Sequence, residues 1–302
     1  MLITEDQVAN RKHWIDEISR LSGDFGVDAE RVERKLSREI QVSDIHSLLG
    51  HLRLCGAIPE SYGHDSSEEK LYSKYTDVVI HEAFKAIGFT SLVLKERSGV
   101  ADVECVTDTY SFVADAKAFR LSRTAKNQKD FKVQAMDNWK HGKPYAMIVC
   151  PVYQLPSRTS QIYQQASSRS VCIGTYTLLA VLARFAQEST KPRAVALVRE
   201  IFKAVEALNP SKNALSYWKT VNRTLLDFDD RISSIWREEK LASNEAMRIS
   251  KAEALTFLAE ERARIMRLSR DEAIKEVLRW RKLDNKIQAV QSVAENRILN
   301  LE

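Results

Sequence analysis

The sequence predicts an α-rich α/β fold, with a central mixed sheet of about five strands flanked by helices and extended by helical regions at both ends. Three observations carry that expectation. The 302 residues include nine Gly and six Pro, too few for a strand-and-turn protein. Hydrophobic residues make up 44% and charged residues 29%, enough to bury a large core. Runs that alternate with a period of two cluster between residues 90 and 176, and helical periodicity dominates on either side.

Residues 4 to 55 read as helices, with Thr4 and Ser43 as N-caps and apolar residues at spacings of three and four in Trp14, Ile15, Ile18 and Leu21. A turn follows from Gly56 to Gly63. Ser67 then opens a helix in which Leu71, Tyr75, Val78, Val79, Ala83 and Phe84 form an apolar stripe and Gly88 is the stop. Five strand-like runs come next: SLVLKER, ADVECV, SFVADAKAF, PYAMIVCP and SVCIGTY. Helical patterns at 127–140 and 159–167 cross between them, as connections in a sheet with helices against it require. After Tyr176 the chain reads as helix throughout, with a long charged stretch from Ala214 to Leu268 and a last helix opened by a capping box at Ser269 and Glu272. This divides the chain into an N-terminal helical region (1–60), a core (61–180) and a C-terminal helical region (181–302), expected to form one integrated globular unit. The alternating charges of the last region fit either a solvated helix or a coiled arm that tracks DNA.

Net charge is +5, which suits an anionic partner without requiring one. Its distribution says more, because six basic residues and one acid, Asp130, lie between Lys117 and Lys132. The four cysteines, Cys55, Cys105, Cys150 and Cys172, are scattered with no CxxC pair, so neither a zinc site nor a disulfide framework is expected. The charged N-terminus and the lack of a long apolar run lead to the expectation of a soluble, unexported, cytoplasmic protein with no membrane role.

Residues 101–118 carry the chemistry. If 101–106 and 111–118 pair as a hairpin turning at Asp108-Thr109, opposed residues have numbers summing to 217, and Asp102 faces Asp115. One face then carries Asp102, Glu104, Val113, Asp115 and Lys117, and the other carries Val103, Cys105, Phe112, Ala114 and Ala116. The first is the expected chemical face and the second the core face. Opposed carboxylates repel unless a cation holds them, and hard oxygen ligands on a rigid sheet suit Mg²⁺. Lys117 can stabilise charge developing on a phosphate or help orient and deprotonate a water. These are the parts of phosphodiester hydrolysis; the bland alternative is a solvated strand face, on which D-x-K is common.

Beyond Lys117, basic residues recur every three positions at Arg120, Arg123, Lys126, Lys129 and Lys132. Such a series fits phosphate tracking. Asn127, Lys129 and Asp130 within it have the side chains that read adenine, guanine and cytosine in the major groove. A charged surface helix is the equal alternative.

The segment DAKAFRLSRTAKNQKDFKVQA, with GAIPE, EKLYSK and GVADV before it and SQIYQQ and RDEAIKEVL after it, resembles the HindIII family of type II restriction endonucleases, within the PD-(D/E)xK nucleases. The resemblance covers about two-thirds of the chain in order, thinning over the first 45 residues and beyond Leu283. It implies a PD-(D/E)xK restriction-endonuclease-like core and a homodimer on double-stranded DNA. It further implies cleavage of palindromic AAGCTT after the first A with 5′ overhangs, Mg²⁺ as cofactor with Mn²⁺ as a substitute, and a partner DNA methyltransferase in a bacterial host. Asp102, Asp115 and Lys117 fall on the catalytic positions, and Asp102 and Asp115 are the implied metal ligands. Glu69 matches a helix acid near the family's site, with a plain surface acid as its alternative. Arg120, Arg123, Lys126, Asn127, Lys129 and Asp130 fall in the implied DNA-reading segment, 118–140. Glu96 departs from the family's placing of an acid, and Glu104 has no counterpart there.

Rival readings predict different behaviour. A repair or junction-resolving nuclease would share the DAK site but ignore base sequence. A DNA-binding protein without cleavage would shift DNA with no metal-dependent cutting. A helical scaffold would show no salt-sensitive DNA affinity.

Overall fold

The computed structural model describes residues 2–94, 99–123, 128–157, 160–209 and 213–291, without the side chains of residues 128 and 129. Helices α1 (Glu5–Ser19), α2 (Phe25–Val42) and α3 (Ile45–Leu54) precede α4 (Ser67–Ile87). The sheet follows, with β1 (Thr90–Val93), β2 (Val103–Val106), β3 (Ser111–Ala116), β4 (Tyr145–Cys150) and β5 (Val171–Thr175). Between β3 and β4 lie α5 (Gln128–Phe131) and α6 (Val133–Trp139), and between β4 and β5 lies α7 (Ile162–Ser168). Helices α8 (Tyr176–Glu188), α9 (Lys191–Glu206), α10 (Ala214–Leu226), α11 (Arg231–Met266), α12 (Arg270–Trp280) and α13 (Leu283–Gln291) complete the described chain.

The five strands form one sheet in the order β1-β2-β3-β4-β5. The first three are antiparallel, as short connections allow, whereas β3, β4 and β5 run parallel across helical crossovers. The sheet is therefore mixed, as expected. The chain forms two compact units, Met1–Ala254 and Leu255–Glu302. In the second, Ser269 and Glu272 form the expected capping box on α12, and α12 and α13 bury none of their residues.

Helix α4 organises the first unit. Ser66 caps its start by accepting from the Glu69 N–H, and Gly88 ends it at φ 124°, where an added Cβ would stand 2.8 Å from Lys191 Cβ. It packs against α2, α3, α8 and the sheet, so residues buried along it surround the helix rather than keep to one stripe. Phe84 meets Phe112 of β3 edge-on at 5.1 Å, and Phe89, Tyr110 and Phe202 complete an aromatic cluster around that ring.

Several boundaries differ from expectation for local reasons. Thr4 caps α1 in a capping box with Gln7, but Ser43 closes α2 and the N-cap of α3 is Asp44, whose carboxylate accepts from the His46 N–H. The helix expected at 127–140 breaks into α5 and α6 because Lys132 takes a left-handed conformation, φ 47°. The stretch from Ala214 to Leu268 divides between α10 and α11, where Asp229 turns its carboxylate onto the Arg231 N–H and guanidinium. Another helix, α13, follows the one expected to be last. No helix among the described residues is long and apolar enough to cross a membrane.

Candidate active site

The hairpin expected around the acids forms in the expected register. Val103 pairs with Ala114, Glu104 with Val113, Cys105 with Phe112 and Val106 with Ser111. The turn is at Asp108-Thr109, closed by the Thr107 N–H donating to Tyr110 O at 3.0 Å and the Tyr110 N–H donating to Thr107 Oγ1 at 3.2 Å. Continuing that register by one residue sets Asp102 opposite Asp115. The Leu94 N–H donates to Asp102 O at 2.9 Å, which carries the β1–β2 ladder to the same point. Beyond β3, the Lys117 N–H donates to Val149 O at 2.7 Å and its carbonyl accepts from Tyr176 OH at 3.0 Å, so the lysine backbone is held on both sides.

The face expected to carry the chemistry is covered. Val113 and Asp115 are only 2% and 3% exposed, and Glu104 is ion-paired at 3.2 Å with Lys143, just beyond α6. Helices α4 and α9 meet the Phe112 side, while α6, which contacts β3, β4 and β5, closes the other. β3 thus lies inside a three-layer arrangement, which the parallel crossovers impose.

Charges in this enclosure perturb one another. Lys117 is ion-paired with Asp115. Burial lowers the affinity of the ammonium for its proton, but Asp115, Asp102 and Asp77 outweigh burial and hold Lys117 above its usual range. Burial pushes Asp115 up, yet Lys117, a hydrogen bond from Asp102 and the nearby Lys132 bring it below the usual carboxylate range. Asp102 goes well above that range through burial and the charges of Asp77 and Asp115, with Lys117 opposing. Burial and like charge thus set the two carboxyls apart, Asp102 above and Asp115 below the usual range. Two carboxylates opposed across the hairpin, with a lysine ion-paired to one of them, are a donor set that would fit a divalent metal.

Asp77 was not anticipated from the sequence. It lies on α4, 2% exposed, with Lys74 Nζ at 3.0 Å from its carboxylate. Burial and the Asp115 charge raise it to about 6 against the pull of Lys74 and Lys117. A signal was present, because Asp77 precedes Phe84 by seven residues, two helical turns, and shares its sheet-facing side. Glu69 lies eight residues, about 12 Å of helix, before Asp77. Its carboxylate is 3.2 Å from Arg120 and accepts from the Asp65 N–H at 2.7 Å. With His64 and Asp65 it forms a surface group whose ligand atoms lie within 4.8 Å of one another.

The expected DNA-binding series is only partly described. Arg120 donates to Gly63 O at 2.7 Å besides pairing with Glu69, so its guanidinium is engaged within the protein. Arg123 is ion-paired with Asp130 and lies over the Phe119 ring at 5.4 Å. Lys126, Asn127 and the doubtful Glu96 lie outside the described residues, as does the Lys129 side chain.

A mixed sheet bearing an acid before one hairpin strand, a D-x-K triplet on the next and a helix packed beneath defines a nuclease of the restriction-endonuclease-like α/β class. The family model for HindIII restriction endonuclease matches residues 12–294. Type II restriction enzyme HindIII of Haemophilus influenzae (strain ATCC 51907 / DSM 11121 / KW20 / Rd) is 32% identical over 253 residues, which span 80% of this chain and 81% of that protein. The chain belongs to the HindIII family of type II restriction endonucleases, site-specific nucleases that act on DNA.

Proposed function

We propose that the chain cleaves double-stranded DNA at palindromic AAGCTT after the first A, leaving 5′ overhangs, with Mg²⁺ held by Asp102 and Asp115. The observation that carries this reading is the hairpin register that opposes those two acids beside Lys117. A bound divalent ion supplies Lewis-acid polarisation of a phosphate oxygen and an activated water, and Mn²⁺ serves in its place. Of the two roles left open for Lys117, its ion pair favours stabilising charge on the phosphate over taking a proton, because it is already protonated. Asp77 adds a third buried carboxylate that strengthens the attraction for a cation. Arg123, Lys126, Asn127, Lys129 and Asp130 make the DNA-binding segment, while Arg120 reaches a phosphate only by leaving Glu69. Glu69, paired with Arg120, is read as an accessory acid.

A palindromic target calls for a homodimer, and self-protection in a bacterial cytoplasm calls for a methyltransferase of the same specificity. The test is digestion of a plasmid of known sequence with and without Mg²⁺, followed by sequencing of the fragment ends, with Asp115→Asn as control. Metal-dependent cuts at AAGCTT, lost in the variant, are expected. Cuts at another fixed site overturn the AAGCTT assignment and keep the nuclease. Cutting without regard to bases favours a repair enzyme, and binding without cutting favours a DNA-binding protein.

A further inference from the structure

Between Lys117 and the base-reading segment the chain is bonded to a separate stretch, residues 56–69. The Phe119 N–H donates to Gly56 O and Phe119 O accepts from the Ile58 N–H, both at 3.2 Å, forming an isolated parallel bridge at Ala57. Gly56 is needed there, since a Cβ would stand 2.8 Å from Pro151 Cγ. Arg120 follows with its bonds to Gly63 O and Glu69. Two residues on, Glu60 holds Ser122 at two points, accepting its N–H at 2.9 Å and its Oγ–H at 2.7 Å. Arg123 then pairs with Asp130 in the reading segment. Neither Glu60 nor Ser122 has a role in the chemistry or in base reading.

We propose that Glu60, acting through Ser122, is a positioning residue for site selection that fixes the offset between catalytic Lys117 and the base-reading residues. This rests on the assignment of residues 127–130 to base reading. Charge-assisted hydrogen bonds to both the N–H and the hydroxyl of one residue fix its backbone and its side chain together. A duplex docked on the correct bases then presents its scissile phosphate to Asp102, Asp115 and Lys117, and one docked on a changed base presents it out of place. Small misplacements of reacting groups cost large factors in rate. The simpler role, bracing an exposed loop, would change stability without changing discrimination.

The experiment compares kcat and KM on the cognate duplex and on a duplex with one base pair changed, together with melting temperatures. Glu60→Ala is expected to lower cognate kcat about tenfold with little change in KM and to narrow the cognate-to-changed ratio of kcat/KM by a similar factor. Ser122→Ala, which removes the hydroxyl alone, should show a smaller loss of the same kind and serves if Glu60→Ala does not fold. Glu60→Gln, which keeps one acceptor oxygen, should fall between. Equal losses on both duplexes, or losses that follow melting temperature, overturn the inference. Wild-type protein without base preference overturns the base-reading assignment as well, and that appears before any variant is made.

Discussion

Asp77 shows how one buried acid records the purpose of its surroundings. Its proton is held up to about 6 by burial and by Asp115, despite the Lys74 ion pair. A carboxyl raised above its unfolded value opposes folding once ionised; the penalty is absent below pH 4, grows through about 6 and is complete above it. Asp77→Asn should therefore stabilise the metal-free protein at pH 8 by up to about 3 kcal/mol, and the gain should vanish near pH 4. Thermal unfolding in chelator at the two pH values checks this, and a variant less stable than wild type at pH 8 would show that the Lys74 pair outweighs burial. The same opposition of burial and charge acts on Asp102, whose carboxyl burial, Asp77 and Asp115 hold well above its usual range. Its proton should leave when Mg²⁺ binds, so calorimetric titration in buffers of different ionisation enthalpy should report proton release. Binding enthalpies independent of buffer would contradict that coupling.

At the scale of elements, the β2–β3 hairpin decides everything near the site. Its alternation was legible because side chains point to opposite faces with a period of two, and its register followed from the turn at Asp108-Thr109. What anchors it was not legible: besides its neighbour Tyr110, Phe112 is enclosed by Phe84, Phe89 and Phe202, which come from other segments of the chain. Phe112→Ala should cost about 3–5 kcal/mol, measured by urea unfolding, and a loss below about 1 kcal/mol would mean that the cluster closes over the gap. The helix boundaries that moved, at Asp44, Lys132 and Asp227–Asp230, are places where a backbone turn or a side-chain cap one residue away wins over periodicity.

Across the molecule, long-range polar ties join the chain's ends within the first unit. Arg11 donates to Leu54 O at 2.6 Å and Ala57 O at 3.1 Å and pairs with Glu253 at 2.8 Å, which fixes the start of the 56–69 stretch from both directions. Arg53 and Arg184 meet on Glu239 of α11. The reading as a homodimer belongs to this scale. Light scattering on the DNA-free protein should give twice the 34.5 kDa of one chain, and a monomer that binds the palindrome as a single copy would overturn it. Assembly would also give the exposed apolar residues of the second unit, such as Val277 and Ile287, a surface to pack on.

Local chemistry determined a good deal without the fold: the α-rich class, the five strand positions, the N-cap at Thr4, the capping box at Ser269, and the opposition of Asp102 to Asp115. Each depends on spacing along a few residues, which the backbone period and the turn convert directly into direction. Only tertiary structure decided that the face bearing Asp115 is closed over by α6. It alone brought Asp77 to the site from a helix about 25 residues away in sequence, engaged Arg120 with Glu69 and placed Glu60 on Ser122. Those pairings join segments whose separation in sequence carries no signal, and they exist because packing α4 against the sheet brings those segments side by side.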